Sequence, residues 1–231
     1  MTENRAETII RDFNNFIKSE TYPCVAARAA FARGHVQCYL AQHMACPRED
    51  EEILTFLYDF ISNYRKSTST LHSAAVIFRE PQHINEKVFD DLLWKRLQNL
   101  SRLDAEKFAY DSRVSPDPGS TNFSFSIGEE ALFIIGLHSG SERRSRQFKY
   151  PTLVFNPHAQ FEALRTLGQY QKLRRVIRKR DTLYSGSVNP MLSDFGEESE
   201  ALQYSGRQYG PDWKCPLIVT HERINDNSTK E

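Results

Sequence analysis

His158 is the residue whose type and position most readily do chemistry. It follows Asn156 and Pro157, where the short apolar run Thr152 to Phe155, read as a buried strand, gives way to a helical pattern. Asn156 is expected to cap that helix and Pro157 to take its first position, where no backbone donor is needed. His158 then falls in the opening turn beside unpaired N–H groups. Their positive field disfavours imidazolium and leaves a lone pair for a metal. At about 100° per residue, His158, Phe161, Glu162 and Arg165 share one helix face, while Leu164 and Leu167 point elsewhere. The plainer reading is a helix-start histidine with no ligand. Cys24 is the second candidate, because the N-terminus of a helix lowers a thiol pKa and favours a thiolate, although a small cysteine on a helix also serves as packing.

The elements around these residues follow from hydrophobic spacing. Ala6 to Lys18 carries Ile9, Ile10, Phe13, Phe16 and Ile17 at steps of three and four, one apolar stripe of a helix. Pro23 opens a second helix, Cys24 to Ala32, stopped by Gly34. A third, Glu49 to Arg65, begins in an acidic turn. His72 to Phe78 reads as the first strand, and Ile84 to Phe108 as a long helix broken near Ser101. Phe123, Phe125 and Ile127 alternate with serines and lead through Gly128-Glu129-Glu130 into the apolar run Ala131 to Leu137, an antiparallel hairpin. The helix after His158 is divided at Gly168, and its second part, Gln169 to Arg180, is strongly basic. Arg174, Arg175 and Arg178 read as a solvated face. The irregular segment Asp181 to Tyr209 has the character of a loop that covers a site, with Trp213 to Val219 as a last ordered stretch.

This pattern specifies an α+β fold, a mainly antiparallel sheet flanked by helices, in a single domain over residues 1–224 with a polar tail over 225–231. The 231 residues carry 30 Lys and Arg against 30 Asp and Glu, which argues against nucleic-acid binding by bulk charge. No apolar run suits a membrane span and no signal peptide is evident, so a cytoplasmic protein is expected, with Cys24, Cys38, Cys46 and Cys215 as reduced thiols. Neither G-x-G-x-x-G nor a P-loop occurs, so nothing indicates a flavin, nicotinamide or nucleotide site.

Several stretches, in order, resemble one family. Tyr22-Pro-Cys24, Ser126 to His138, Pro151 to Arg165, Asn189 to Gly196, Gln203 to Arg207 and Trp213-Lys-Cys-Pro216 are similar to the bacterial YqcI/YcgG family. The chain departs from the family's usual Phe-Pro-Cys and Cys-Pro-Phe at Tyr22 and Leu217, both conservatively. The resemblance implies a haem-dependent N-oxygenase of arginine or a related small guanidine, of the pre-guanitoxin N-hydroxylase type. It implies haem b iron, O2 as co-substrate and electrons from a separate reductase.

On that footing the axial donor is sought among His158, His138, Cys24 and Cys215, with His158 first and His138 next. Arg165 and Arg207 are the expected partners of haem propionates or a substrate carboxylate. Asp194, Glu129, Glu130 and Glu200 are the acids that could hold a guanidinium, Asp194 foremost, and the segment Asn189 to Arg207 is expected to close over the cofactor. Two alternatives stand beside this reading. One is a non-haem iron oxygenase using His138, His158 and a carboxylate; the other is a haem-binding or sensing protein without turnover.

Overall fold

The computed structural model describes residues 2–69, 71–187, 189, 191 and 196–221. Helices α1 (Thr2–Lys18) and α2 (Val25–Ala32) precede strand β1 (Val36–His43), helix α3 (Asp50–Lys66), strand β2 (Ser73–Glu80) and helix α4 (Glu86–Asp104). Strands β3 (Phe125–Ile127), β4 (Glu130–Leu137) and β5 (Thr152–Pro157) follow, then helices α5 (His158–Thr166), α6 (Tyr170–Ser185) and the short α7 (Ala201–Tyr204). The five strands form one open sheet in the order β1-β2-β5-β4-β3. Only β1 and β2 run parallel, joined through α3, and the other three pairings are antiparallel. The α+β, mainly antiparallel, single-domain architecture is therefore as the sequence specified.

Helices pack on both faces of the sheet, and the alternation of β2 shows how. Ala74, Val76 and Phe78 enter a core with α3 and α4, whereas Ala75 and Ile77 enter a second core with Ile9, Phe13 and Ile17 of α1. Caps fix the helix starts: Cys24 Sγ accepts from Ala27 N at 3.4 Å and Asn85 Oδ1 from Val88 N at 2.9 Å. Under α4 lies a buried ion pair, Arg96 with Asp50, and the same guanidinium donates to the carbonyls of His43, Met44 and Cys46.

Three local expectations are corrected. The sheet begins not at His72 but at β1, an edge strand whose Gln37 and Gln42 interrupt the apolar signal. Helix α4 is not broken near Ser101: it runs through to Asp104, with Ser101 packed inward. Strand β5 holds its ladder to Pro157, paired with Leu132, so the helix opens one residue later than expected, with Pro157 as its cap and His158 as its first residue. Asn156, no longer a cap, works sideways: its Oδ1 accepts from Ser73 Oγ at 2.6 Å and its Nδ2 donates to Phe133 O at 3.2 Å.

His138, at the end of β4, is buried with its ring stacked on Phe89 of α4 at 4.2 Å. Burial, only partly offset by the Ile84 carbonyl, pushes its pKa from 6.5 down to about 4. The unfolded chain therefore takes up this proton first as pH falls, so the neutral ring's contribution is lost between pH 6.5 and 4. Over that range the change amounts to about 3 kcal/mol. Urea unfolding at neutral and mildly acid pH should show this component in the wild type and not in His138→Phe; an identical pH dependence in both would refute it.

Candidate active site

The face of the sheet turned to α1 and α2 is incompletely covered, and the gap is a cleft. Phe133, Ile135 and Leu137 alternate onto this face of β4 while Leu132 and Ile134 enter the opposite core. Phe13 and Ile17 of α1 and Ala27 and Ala30 of α2 form one wall. After α5 the chain reverses at Gly168, whose φ of 66° suits glycine, and α6 returns along the cleft, facing it with Leu173 and Ile177. The void holds about 230 Å³. That is less than the roughly 300–1,000 Å³ of sites that enclose drug-sized ligands, so a guest of that size needs the walls to part.

His158 enters the cleft at the start of α5. Its Nδ1 lies 3.2 Å from Glu200 Oε1 and its Nε2 3.3 Å from Glu162 Oε1. The bare imidazole expected at a helix start is instead held between two carboxylates. Glu200 is the fixed one, buried, and it also accepts the Tyr204 hydroxyl at 3.4 Å. Glu162 is half-exposed and pairs with Arg165, whose guanidinium lies 4.2 Å over the Tyr170 ring. A carboxylate on one ring nitrogen places a proton there and leaves the other for a ligand, an arrangement common among metal-bound histidines.

Cys24 also lines the cleft, but burial outweighs the amides of Ala27 and Ala26 and pushes its pKa up, contrary to the thiolate expected at a helix start. Arg174 and Arg178, read from sequence as a solvated face, turn toward the cleft with Arg165. His72 joins them, its ring stacked on His35 at 4.3 Å and its pKa lowered by burial and by that neighbour. Gln160 ties this side together, accepting from His72 N at 2.9 Å.

The remaining candidates lie elsewhere. His138 faces α4, on the other side of the sheet. Arg207 pairs with Asp90 at 3.2 Å, and Cys215 packs on the α4 core, where burial pushes its pKa up to about 12. Glu130 is buried against Arg65 and Arg113, and Glu129 forms the hairpin turn with φ 59°, its carbonyl accepting from Arg65. Asp194 lies outside the described residues. The anticipated covering segment brings Glu200 and Gln203 to the cleft, while Arg146, buried beneath it, donates to the carbonyls of Gln203 and Tyr204. Among the described residues no three His, Cys, Asp or Glu side chains converge as a metal site, so the His138–His158–carboxylate arrangement of a non-haem iron centre is not assembled.

Residues 13–218 match the YqcI/YcgG family across every element that builds the cleft. The chain belongs to that family. Among its relatives in Bacillus subtilis (strain 168), the uncharacterized protein YcgG is 26% identical over 217 residues, covering 90% of this chain and 85% of the relative. The uncharacterized protein YqcI is 27% identical over 189 residues, covering 78% and 73% respectively. No solved structure matches the chain. The YqcI/YcgG match begins within α1 and ends in the stretch after Trp213, so it spans the elements that form both walls of the cleft. No helix among the described residues is long and apolar enough to cross a membrane.

Two polar residues that line the cleft, Gln160 and His72, are not singled out by sequence reasoning. Helix-face spacing from His158 excludes Gln160, and His72 was absorbed into a strand. The signal that could have found His72 is its place at the mouth of β2, where strand ends open toward pockets.

Proposed function

We propose that this protein is a haem-dependent N-hydroxylase that acts on a guanidine nitrogen of arginine or a related small guanidine, using O2 and electrons from a separate reductase. The observation that carries the proposal is the pairing of His158 with buried Glu200 in an apolar cleft that Arg165, Arg174 and Arg178 also line. The donor set suits haem b. His158 Nε2 would hold the iron once the half-exposed Glu162 swings aside, the apolar walls would take the macrocycle, and Arg165, Arg174 and Arg178 would take its propionates. Haem supplies dioxygen activation and one-electron chemistry.

The chain's own residues supply the rest. Glu200 fixes the proton on Nδ1 and thereby the ring's orientation and basicity. The apolar walls exclude water, which strengthens every charge interaction inside. Among the acids expected to hold a guanidinium, Glu130 is committed to Arg65 and Arg113 and Glu200 to His158, Glu129 sits in the hairpin turn outside the cleft lining, and Asp194 lies outside the described residues. Glu162 already holds the guanidinium of Arg165 at the mouth, and that contact is the one a substrate guanidinium would take over.

The test is an absorption titration of the haem-loaded protein with arginine, agmatine and cyclic guanidines against matched neutral ureas, followed by product analysis with O2 and a reductant. Guanidines should perturb the haem spectrum and yield an N-hydroxyguanidine, and ureas should do neither. Equal responses to both, or no haem complex at all, would remove the proposal.

A further inference from the structure

We propose that Tyr204, Trp94, Trp213 and Tyr209 form a relay that carries oxidising equivalents from the cleft to the protein surface. The proposal deepens the oxygenase reading and rests on it for the source of the oxidant. The line starts at His158, whose partner Glu200 accepts the Tyr204 hydroxyl at 3.4 Å. The Tyr204 ring lies 6.0 Å from Trp94 at an interplanar angle of 26°, Trp94 lies 5.9 Å from Trp213, and Trp213 stacks on Tyr209 at 3.9 Å. Electron transfer slows steeply with distance, and no ring-to-ring step here exceeds 6.0 Å. The chain contains two tryptophans, and both lie on this line.

Aromatic clusters fill many cores, but two features set this one apart. First, it leads outward: Tyr204 and Trp94 are buried, while Tyr209 and Trp213 are partly exposed. Second, among the described residues each oxidisable X–H group on it except that of Trp213 has a carboxylate partner, which can accept the proton that an oxidised phenol or indole sheds. Tyr204 has Glu200; Trp94 Nε1 donates to Asp90 Oδ1 at 2.9 Å, and the Tyr209 hydroxyl to the same oxygen at 2.5 Å. Arg207 donates to the other oxygen of Asp90 at 3.2 Å.

A strong one-electron oxidant in the cleft, of the class that a metal and dioxygen generate, takes one electron from Tyr204, and the phenolic proton passes to Glu200. Trp94 returns an electron to Tyr204 as Glu200 returns the proton, and the Trp94 indole proton passes to Asp90. Tyr209, coupled to Trp213, then reduces Trp94; Asp90 gives that proton back and takes the one from Tyr209. A thiol or ascorbate-class reductant in solution gives one electron to Tyr209 as Asp90 returns the proton, and the oxidised reductant releases its own proton to solvent. Each cycle moves one electron inward and leaves every relay residue unchanged, so an oxidant formed without substrate is spent at the surface rather than on the cleft walls.

A haem-free experiment on the full chain separates this proposal from the oxygenase reading. A ruthenium polypyridyl photosensitiser is coupled at Arg165→Cys, on the cleft rim, with Cys24, Cys38, Cys46 and Cys215 replaced by alanine. Flash oxidation with a diffusing electron acceptor is followed by transient absorption of tyrosyl and tryptophanyl radicals. A nitroso spin trap with peptide mapping then locates them, and free photosensitiser with unlabelled protein sets the background. The expected result is adducts on Tyr209 and Trp213, their loss in Trp94→Phe with adducts retained on Tyr204, and loss at all four residues in Tyr204→Phe. Should Trp94→Phe not fold, Tyr204→Phe, which removes one hydroxyl, decides alone. Undiminished adducts on Tyr209 and Trp213 in either folded variant, or adducts confined to the label's neighbours, would overturn the relay.

Discussion

His158→Ala is expected to give a folded protein that no longer forms a haem complex, with the Soret band absent at haem concentrations that saturate the wild type. The ring is the one imidazole in the cleft with a buried carboxylate on its second nitrogen, so its removal takes away the donor and leaves Glu200 facing Tyr204 alone. Glu200→Gln should keep the donor but lose the charge that orients it, weakening haem by about 10–100-fold, the usual effect of removing such a supporting partner. Haem titration by absorption, with circular dichroism as the folding control, measures both. His138→Phe should bind haem as the wild type does, because its ring lies against Phe89 on the other face of the sheet. Retention of a normal spectrum in His158→Ala together with its loss in Cys24→Ala would move the axial position to the thiol.

The largest loss of stability is expected at Arg96. Its guanidinium is almost wholly buried, pairs with Asp50, and donates to the carbonyls of Met44 at 2.6 Å and Cys46 at 2.7 Å, fastening the turn after β1 to α4. Arg96→Met keeps much of the volume but strands a buried carboxylate, which costs about 3–5 kcal/mol. Adding Asp50→Asn should recover part of that loss, since the stranded charge goes while the carbonyls stay unpaired. Urea unfolding of the two single variants and the double variant gives the comparison. A loss under about 1 kcal/mol in Arg96→Met would mean that water reaches the pair and that burial is not what it enforces.

What could be read along the chain was what is local. The apolar run Ala131 to Leu137 is strand because nothing polar interrupts it, and the face shared by His158, Phe161 and Arg165 is a matter of helical spacing alone; all three line the cleft. Partners distant in sequence were not legible. Glu200 meets His158 from 42 residues away, and Glu130 is taken by Arg65 and Arg113, which no periodicity announces. Arg207 likewise goes to Asp90, 117 residues earlier. The basic run in α6 misled for a related reason. A row of arginines looks solvated until the reversal at Gly168 is known to lay one side of that helix along a cleft. The error at Asn156 was smaller and instructive: a capping residue type was assigned to a cap, yet the ladder with β4 claimed it first.

Helix α6 has no fully buried side chain, contributes nothing to either hydrophobic core, and is bounded by Gly168 and Gly186, both at positive φ. The timing of maturation follows from this. Both cores close without α6, so on the proposed function the fold would be complete before haem arrives, and loading would be a late event on a finished scaffold. The frequency with which one helix lifts would then set both the rate of loading and the lifetime of the loaded state, and the two should change together when that helix is tethered.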